Sequence, residues 1–180
     1  MHRMERENCC QSSSCCCNDS KVKEIVIDFL YLDLSVCARC QGTDANLEDA
    51  ILEVSSVLKA AGYTIQVNKV NIISKELAYE YKFLSSPTIR INGKDIEIEV
   101  KESSCKECGD LCGDEVDCRV FTYEGKEYSQ PPKEFIINAI LREVYSDKTN
   151  EGMTEEAVPY EVPDNLKNFF DSFESKQAKH

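Results

Sequence analysis

The chain has 180 residues, 42% of them hydrophobic, with 33 acidic against 21 basic side chains and a net charge of −12. That length holds one domain with a real core plus an arm or tail, and the acidity excludes binding through a phosphate backbone, since no basic stripe interrupts it. No run approaches the ~18 apolar residues of a membrane span, and the N-terminal stretch "MHRMERENCCQSSSCCCNDS" has charge but no apolar segment, so it reads as neither a secretory nor a lipoprotein signal and the expected compartment is the cytoplasm.

In chain order, residues 1–20 read as a disordered, Cys-rich arm: polar, rich in Ser and Cys, without periodicity. A domain is expected over 21–146. Residues 22–32 run apolar with β-branched content (Val22, Ile25, Val26, Ile27, Phe29, Leu30), which predicts a buried strand. Leu47, Ile51, Val54 and Leu58 mark one face of a helix over 45–61, stopped by Gly62. "TIQVNKVNI" (64–72) predicts a second strand, and "SKELAYEYKF" (74–83) a short helix with Ser74 as N-cap.

"TIRINGKDIEIEV" (88–100) predicts a hairpin, with Ile89 and Ile91 on one arm and Ile96 and Ile98 on the other, around Asn92-Gly93. Residues 101–130 read as an insertion: a cysteine-rich acidic loop, 101–118, then a small hairpin around Gly125. A helix over 132–146 follows Pro131-Pro132, with Phe135, Ile136, Ala139, Ile140 and Val144 on its apolar face. Residues 147–180 read as a linker and an amphipathic C-terminal helix carrying Leu166, Phe169, Phe170 and Phe173, docked on the domain or used for a homodimer. A helical crossover between the first two strands implies parallel pairing, and the Asn-Gly hairpin an antiparallel pair. The expected fold is α/β: a four-stranded mixed sheet flanked by helices, with the Cys-rich insertion before the last core helix.

The eleven cysteines fall into three groups. A cytosol keeps thiols reduced, so clustered cysteines there point to metal binding or redox chemistry rather than a disulfide framework. The first group is Cys37 and Cys40 in "SVCARCQGT", after the first strand and at the start of the first helix. Unpaired N–H groups and the positive dipole end at a helix N-terminus stabilise a thiolate, and Arg39 adds charge nearby. Cys37 is then the expected nucleophile and Cys40, one turn further in, the resolving thiol. Pro87, in "FLSSPTIRI", opens the third strand.

Strand, Cys-x-x-Cys, helix, strand, helix, Ser86-Pro87-Thr88 and hairpin together resemble the thioredoxin superfamily over about residues 22–146, and the "CGDEVDCRVFTYEGKEY" segment resembles a Cys-rich subfamily of it. The resemblance implies a thioredoxin-like fold, a cis Ser86–Pro87 bond, and Pro87 shaping a substrate groove beside the redox pair. It implies thiol–disulfide exchange on a protein disulfide or a small thiol, with no cofactor for the redox step. Val36 stands where classical thioredoxins have Trp, and the intervening pair is Ala38-Arg39.

The second group, Cys105, Cys108, Cys112 and Cys118, lies in "CKECGDLCGDEVDC". Four thiolates this close can surround one Zn²⁺ tetrahedrally or hold another soft metal. Residues 94–118 carry nine acids against three bases, a field that favours a cation and opposes thiol ionisation. The third group, Cys9, Cys10, Cys15, Cys16 and Cys17, sits in the N-terminal arm. Vicinal thiols there can chelate Cu(I), Hg(II) or As(III); in chemistry, not in aligned sequence, this is similar to arsenite-chaperone proteins. The sequence therefore supports a thiol–disulfide oxidoreductase, with a soft-metal or metalloid (Zn, Cu, Hg, As) thiolate-binding or carrier protein as the main alternative and an inactive thioredoxin-like interaction module as a third reading. Neither implies a nucleic-acid or membrane partner.

Overall fold

A computed structural model describes residues 22–146 and 159–178. β1 (Lys23–Tyr31) is the central strand. It pairs in parallel with β2 (Tyr63–Asn71), Lys23 opposite Tyr63 and Tyr31 opposite Asn71. On its other side it runs antiparallel to β3 (Thr88–Ile91), Ile27 opposite Ile91. β4 (Lys94–Asp95) closes the order β2-β1-β3-β4. The parallel pair is connected by α1 (Ala38–Ala60), as a crossover requires. Its apolar face is Leu47, Ala50, Val54 and Leu58, all buried, with Ile51 packed at the edge. Gly62, at φ 85, turns the chain from α1 into β2.

The interior has two parts. Ile25, Ile27 and Phe29 alternate from β1 into a layer with α1 and α4 (Lys133–Tyr145), where Ile136, Ala139 and Ile140 meet them. Leu30 and Leu32 join a second cluster with α2 (Lys75–Glu80) and Ile72. Ser74 caps α2 as expected, its hydroxyl accepting from the Leu77 N–H. All six described cysteines lie in this second cluster.

The hairpin after β3 is shorter than the sequence pattern suggests. Asn92 and Gly93 take positive φ, 51° and 80°, and make the tight turn. The return arm then leaves the sheet after Asp95, and Ile98 is 96% exposed. Arg119 draws the arm away. Its buried guanidinium holds both carboxylate oxygens of Asp95 at 2.7 and 2.9 Å and the Glu97 carbonyl at 2.6 Å. The carboxylate of Glu97 also accepts from the Thr122 N–H at 2.9 Å. Ile96 still donates to the Ile89 carbonyl at 3.1 Å; beyond it, a buried bidentate pair outweighs the ladder bonds that exposed Ile98 would add.

The segment expected to be a cysteine-rich loop is ordered. β5 (Lys101–Ser104), α3 (Lys106–Cys112), β6 (Asp117–Tyr123) and β7 (Lys126–Tyr128) form a three-stranded antiparallel sheet with α3 between its first two strands. Gly109 permits the tight return from α3, since a Cβ there would lie 2.8 Å from the Asp114 carbonyl oxygen. α5 (Asp164–Gln177) buries Leu166, Phe169 and Phe170 in the second cluster, so its aromatic stripe is packed within the chain. It also braces the insertion: Lys176 donates to the Asp110 and Leu111 carbonyls at the end of α3, and Asn165 bonds both backbone groups of Asp117. No helix among the described residues is long and apolar enough to cross a membrane.

A candidate four-cysteine metal centre

Cys37 caps α1, and its sulfur accepts from the Cys40 N–H at 3.4 Å. That is the local geometry read from the sequence. The surroundings are not. Cys37 is 0% exposed, because the insertion lies over the start of α1. Arg39 reaches across and donates to the carbonyls of Ser104, Cys118 and Ser103 at 2.7, 3.1 and 3.3 Å. Gln130, at the far end of the insertion, donates to the Ala38 carbonyl at 3.0 Å, its amide lying where a Cβ on Gly42 would project.

Beneath that cover the sulfurs of Cys37, Cys105, Cys108 and Cys118 all lie within 4.8 Å of one another, and all four residues are buried. Cys108 and Cys118 are 3.5 Å apart. A tetrahedron of thiolates about 2.3 Å from a metal has edges of about 3.8 Å, so this set needs only small adjustments to surround one ion. Four cysteines are close enough together to bind a metal ion. Each sits on ordered backbone: Cys37 at the α1 N-terminus, Cys105 and Cys108 at the start of α3, Cys118 in β6.

The membership differs from the sequence-based set at one position. Cys112, expected as the fourth ligand, is absent from the group; its thiol faces the Gly109 and Asp114 carbonyls at 3.8 and 3.7 Å. On a short helix, Cys105 and Cys108 share a face one turn apart, and Cys112 falls further along. Cys37, read as a nucleophile, takes the place. Cys9, Cys10, Cys15, Cys16 and Cys17 lie outside the described residues.

The remaining redox residues are also accounted for. Cys40 is fully buried and its sulfur is 3.3 Å from the Ser86 hydroxyl. The Ser86–Pro87 peptide is cis, as expected. The groove expected beside Pro87 is filled, however: Pro87 is buried, and the Arg119 N–H of β6 donates to the Ser86 carbonyl at 2.7 Å. Arg39 and Arg119 had no separate signal as anchors of the insertion, since their partners are backbone carbonyls and a carboxylate distant in the sequence.

The thiols perturb one another strongly. Cys37 is held well below the usual thiol range because the Cys105, Cys108, Cys118 and Cys40 thiols converge on its sulfur as hydrogen-bond partners, which outweighs burial. Cys40 is pushed up by its hydrogen bond to Cys37 and by burial. Cys105 is lowered by Cys108 and Cys118, whereas Cys108 and Cys118 are each raised, first by their hydrogen bond to Cys105. Four sulfurs this close cannot all ionise by themselves; a bound cation removes that restriction. Of the four, Cys105 alone has measurable exposure, 2%. It lines a surface cleft of about 600 Å³ shared with Lys106, Asp110, Asp114 and Glu115.

Residues 25–140 match the family model described as "Domain of unknown function (DUF2703)". No curated protein and no solved structure matches the chain.

Proposed function

The chain belongs to the DUF2703 family, and for this member we propose a soft-metal thiolate-binding function on a thioredoxin-like scaffold, with Cys37, Cys105, Cys108 and Cys118 as ligands. The observation that carries this reading is the convergence of four buried sulfurs within 4.8 Å from three separate elements. Sulfur-only, four-coordinate sites suit Zn²⁺ and iron–sulfur chemistry best among common metals, and tolerate other thiophilic ions. The ion joins the insertion to the start of α1, so binding free energy becomes free energy of holding the insertion in place. Arg39, donating to the Cys118 carbonyl at 3.1 Å, offsets part of the negative charge of a tetrathiolate centre.

The thioredoxin-like scaffold is supported by the β2-β1-β3-β4 order, by a Cys-x-x-Cys at the β1–α1 junction and by Pro87 at the entry to β3. The oxidoreductase reading keeps one specific support, the Cys40 N–H directed at the Cys37 sulfur. Against it, Cys37 has no exposure and β6 fills the groove beside Pro87.

The test is elemental analysis of the full chain purified under reducing conditions, with single Cys→Ser variants. One equivalent of a thiophilic metal in the wild type, lost in Cys37→Ser and Cys108→Ser and kept in Cys112→Ser, supports the function. A wild type that binds no Zn²⁺, Cu(I), Hg²⁺ or As(III), yet reduces a protein disulfide, refutes it.

A further inference from the structure

Cys37 stands between two sets of partners. On one side are Cys105, Cys108 and Cys118, with which it forms the four-sulfur group. On the other is Cys40, one helical turn away, whose N–H donates to the Cys37 sulfur at 3.4 Å. One sulfur cannot serve both as a ligand and as half of a disulfide. Cys40 is fully buried, lies outside the four-sulfur group and contacts the Ser86 hydroxyl at 3.3 Å. The metal site alone gives it no task.

We propose that a small disulfide oxidises Cys37 and Cys40 to an internal disulfide and thereby expels the metal, so that thiol–disulfide exchange and metal release are one reaction of this centre. The inference rests on the proposed metal function. It adds an activity, metal discharge driven by disulfide, and a class of co-substrate.

The exchange balances as follows. The Cys37 sulfur leaves the metal and attacks one sulfur of the disulfide RSSR, forming a Cys37–SR mixed disulfide and releasing RS⁻. The Cys40 thiol gives its proton to RS⁻ and its sulfur attacks Cys37, forming the Cys37–Cys40 bond and releasing a second RS⁻, which takes a proton from water. Two cysteines lose two electrons, and RSSR gains them as two thiols. The metal is left with Cys105, Cys108 and Cys118 and passes to a competing chelator.

The same residues set the order of events. Cys37 is covered by the insertion, so RSSR reaches it only when the insertion lifts. That movement breaks the three Arg39 bonds to Ser103, Ser104 and Cys118 and the Gln130 bond to Ala38. The metal opposes the movement, because it ties the insertion to Cys37. Linkage then requires metal to favour the reduced pair and to raise its midpoint potential. If the disulfide form does not bind metal, zinc at about a hundred times its dissociation constant raises the midpoint by about 60 mV.

The experiment uses the full chain loaded with Zn²⁺, oxidised glutathione as the disulfide and a chromophoric chelator to record release. Wild type and Cys40→Ser are compared after each is shown to hold the same zinc, which also controls for folding. The expected results are a wild-type Cys37–Cys40 disulfide by peptide mapping with two thiols released per zinc, a Cys37–glutathione mixed disulfide with one thiol per zinc in Cys40→Ser, and a wild-type midpoint that rises with zinc. A wild type that stops at the Cys37–glutathione mixed disulfide, or whose oxidation maps first to Cys108–Cys118 or Cys105–Cys108, overturns the proposal while the metal function stands. A wild type that binds no zinc overturns both, and its Cys37–Cys40 potential is then independent of zinc.

Discussion

Replacing Arg39 tests whether the insertion must be held on α1 for the centre to form. Arg39→Met keeps much of the aliphatic stem and removes the guanidinium, with its bonds to the carbonyls of Ser103, Ser104 and Cys118 at 3.3, 2.7 and 3.1 Å. A hydrogen bond to a charged group contributes about 1.5–3 kcal/mol when well formed and shielded. Arg39 is only partly buried and one of its bonds is long, so solvent screening reduces the sum to about 2–3 kcal/mol for the set. That energy opposes lifting of the segment that carries Cys105, Cys108 and Cys118. Its loss falls on metal affinity, which should drop by about 30- to 150-fold, at 1.4 kcal/mol for each factor of ten. Competition against a chromophoric zinc chelator measures the affinity, and circular dichroism checks that the domain remains folded. Arg39→Lys, which cannot span three carbonyls as a planar fork, should recover only part of the loss. An Arg39→Met affinity within threefold of wild type would mean that the sulfurs hold the insertion without Arg39.

The other predictions concern packing and protons. Gly109→Ala should destabilise the chain by about 1–3 kcal/mol, because the new methyl meets the Asp114 backbone oxygen at 2.8 Å. Gly42→Ala should be near neutral by the same chemical denaturation assay, since only the end of the Gln130 side chain must move and alanine favours helix. Phe170→Ala empties a position that is 1% exposed and should cost about 3–5 kcal/mol, lowering the melting temperature by about 10 °C or more. Metal affinity should fall as pH falls: Cys108 and Cys118 are raised by their hydrogen bonds to Cys105 and keep their protons in the metal-free protein, so the ion must displace them. The expected loss is about tenfold per pH unit for each proton displaced, read from zinc titrations between neutral and mildly acidic pH, and a flat profile would contradict it.

Periodicity and turn chemistry carry most of the architecture. The face of α1, the Ser74 cap of α2 and the Asn92-Gly93 turn depend on neighbours in sequence, and they appear in the structure close to where the pattern puts them. The return arm after Gly93 does not. Ile96 and Ile98 alternate like a strand, but Arg119, distant in the chain, binds Asp95 and Glu97 and draws the backbone away. Such a long-range ion pair leaves no local trace in an alternation pattern. The same limit separates the expected metal ligands from the observed group. Spacing alone joins Cys105, Cys108, Cys112 and Cys118, because they are contiguous in sequence. Cys112 lies a further turn along α3, out of reach of the group, and docking of the insertion brings in Cys37. The Cys-x-x-Cys was legible as a thiol pair at a helix start; that the insertion covers it was not, because the cover is made by backbone carbonyls that any sequence offers.

The proposed centre depends on Cys37, the outer cysteine of the Cys-x-x-Cys, being a metal ligand. X-ray absorption at the metal edge decides this, on the wild-type chain and on Cys37→Ser and Cys112→Ser. Four sulfurs at about 2.3 Å are expected in the wild type and in Cys112→Ser, and three sulfurs with one lighter ligand, or no metal, in Cys37→Ser. Four sulfurs retained in Cys37→Ser together with one lost in Cys112→Ser would contradict that role of Cys37 and return the site to the insertion alone.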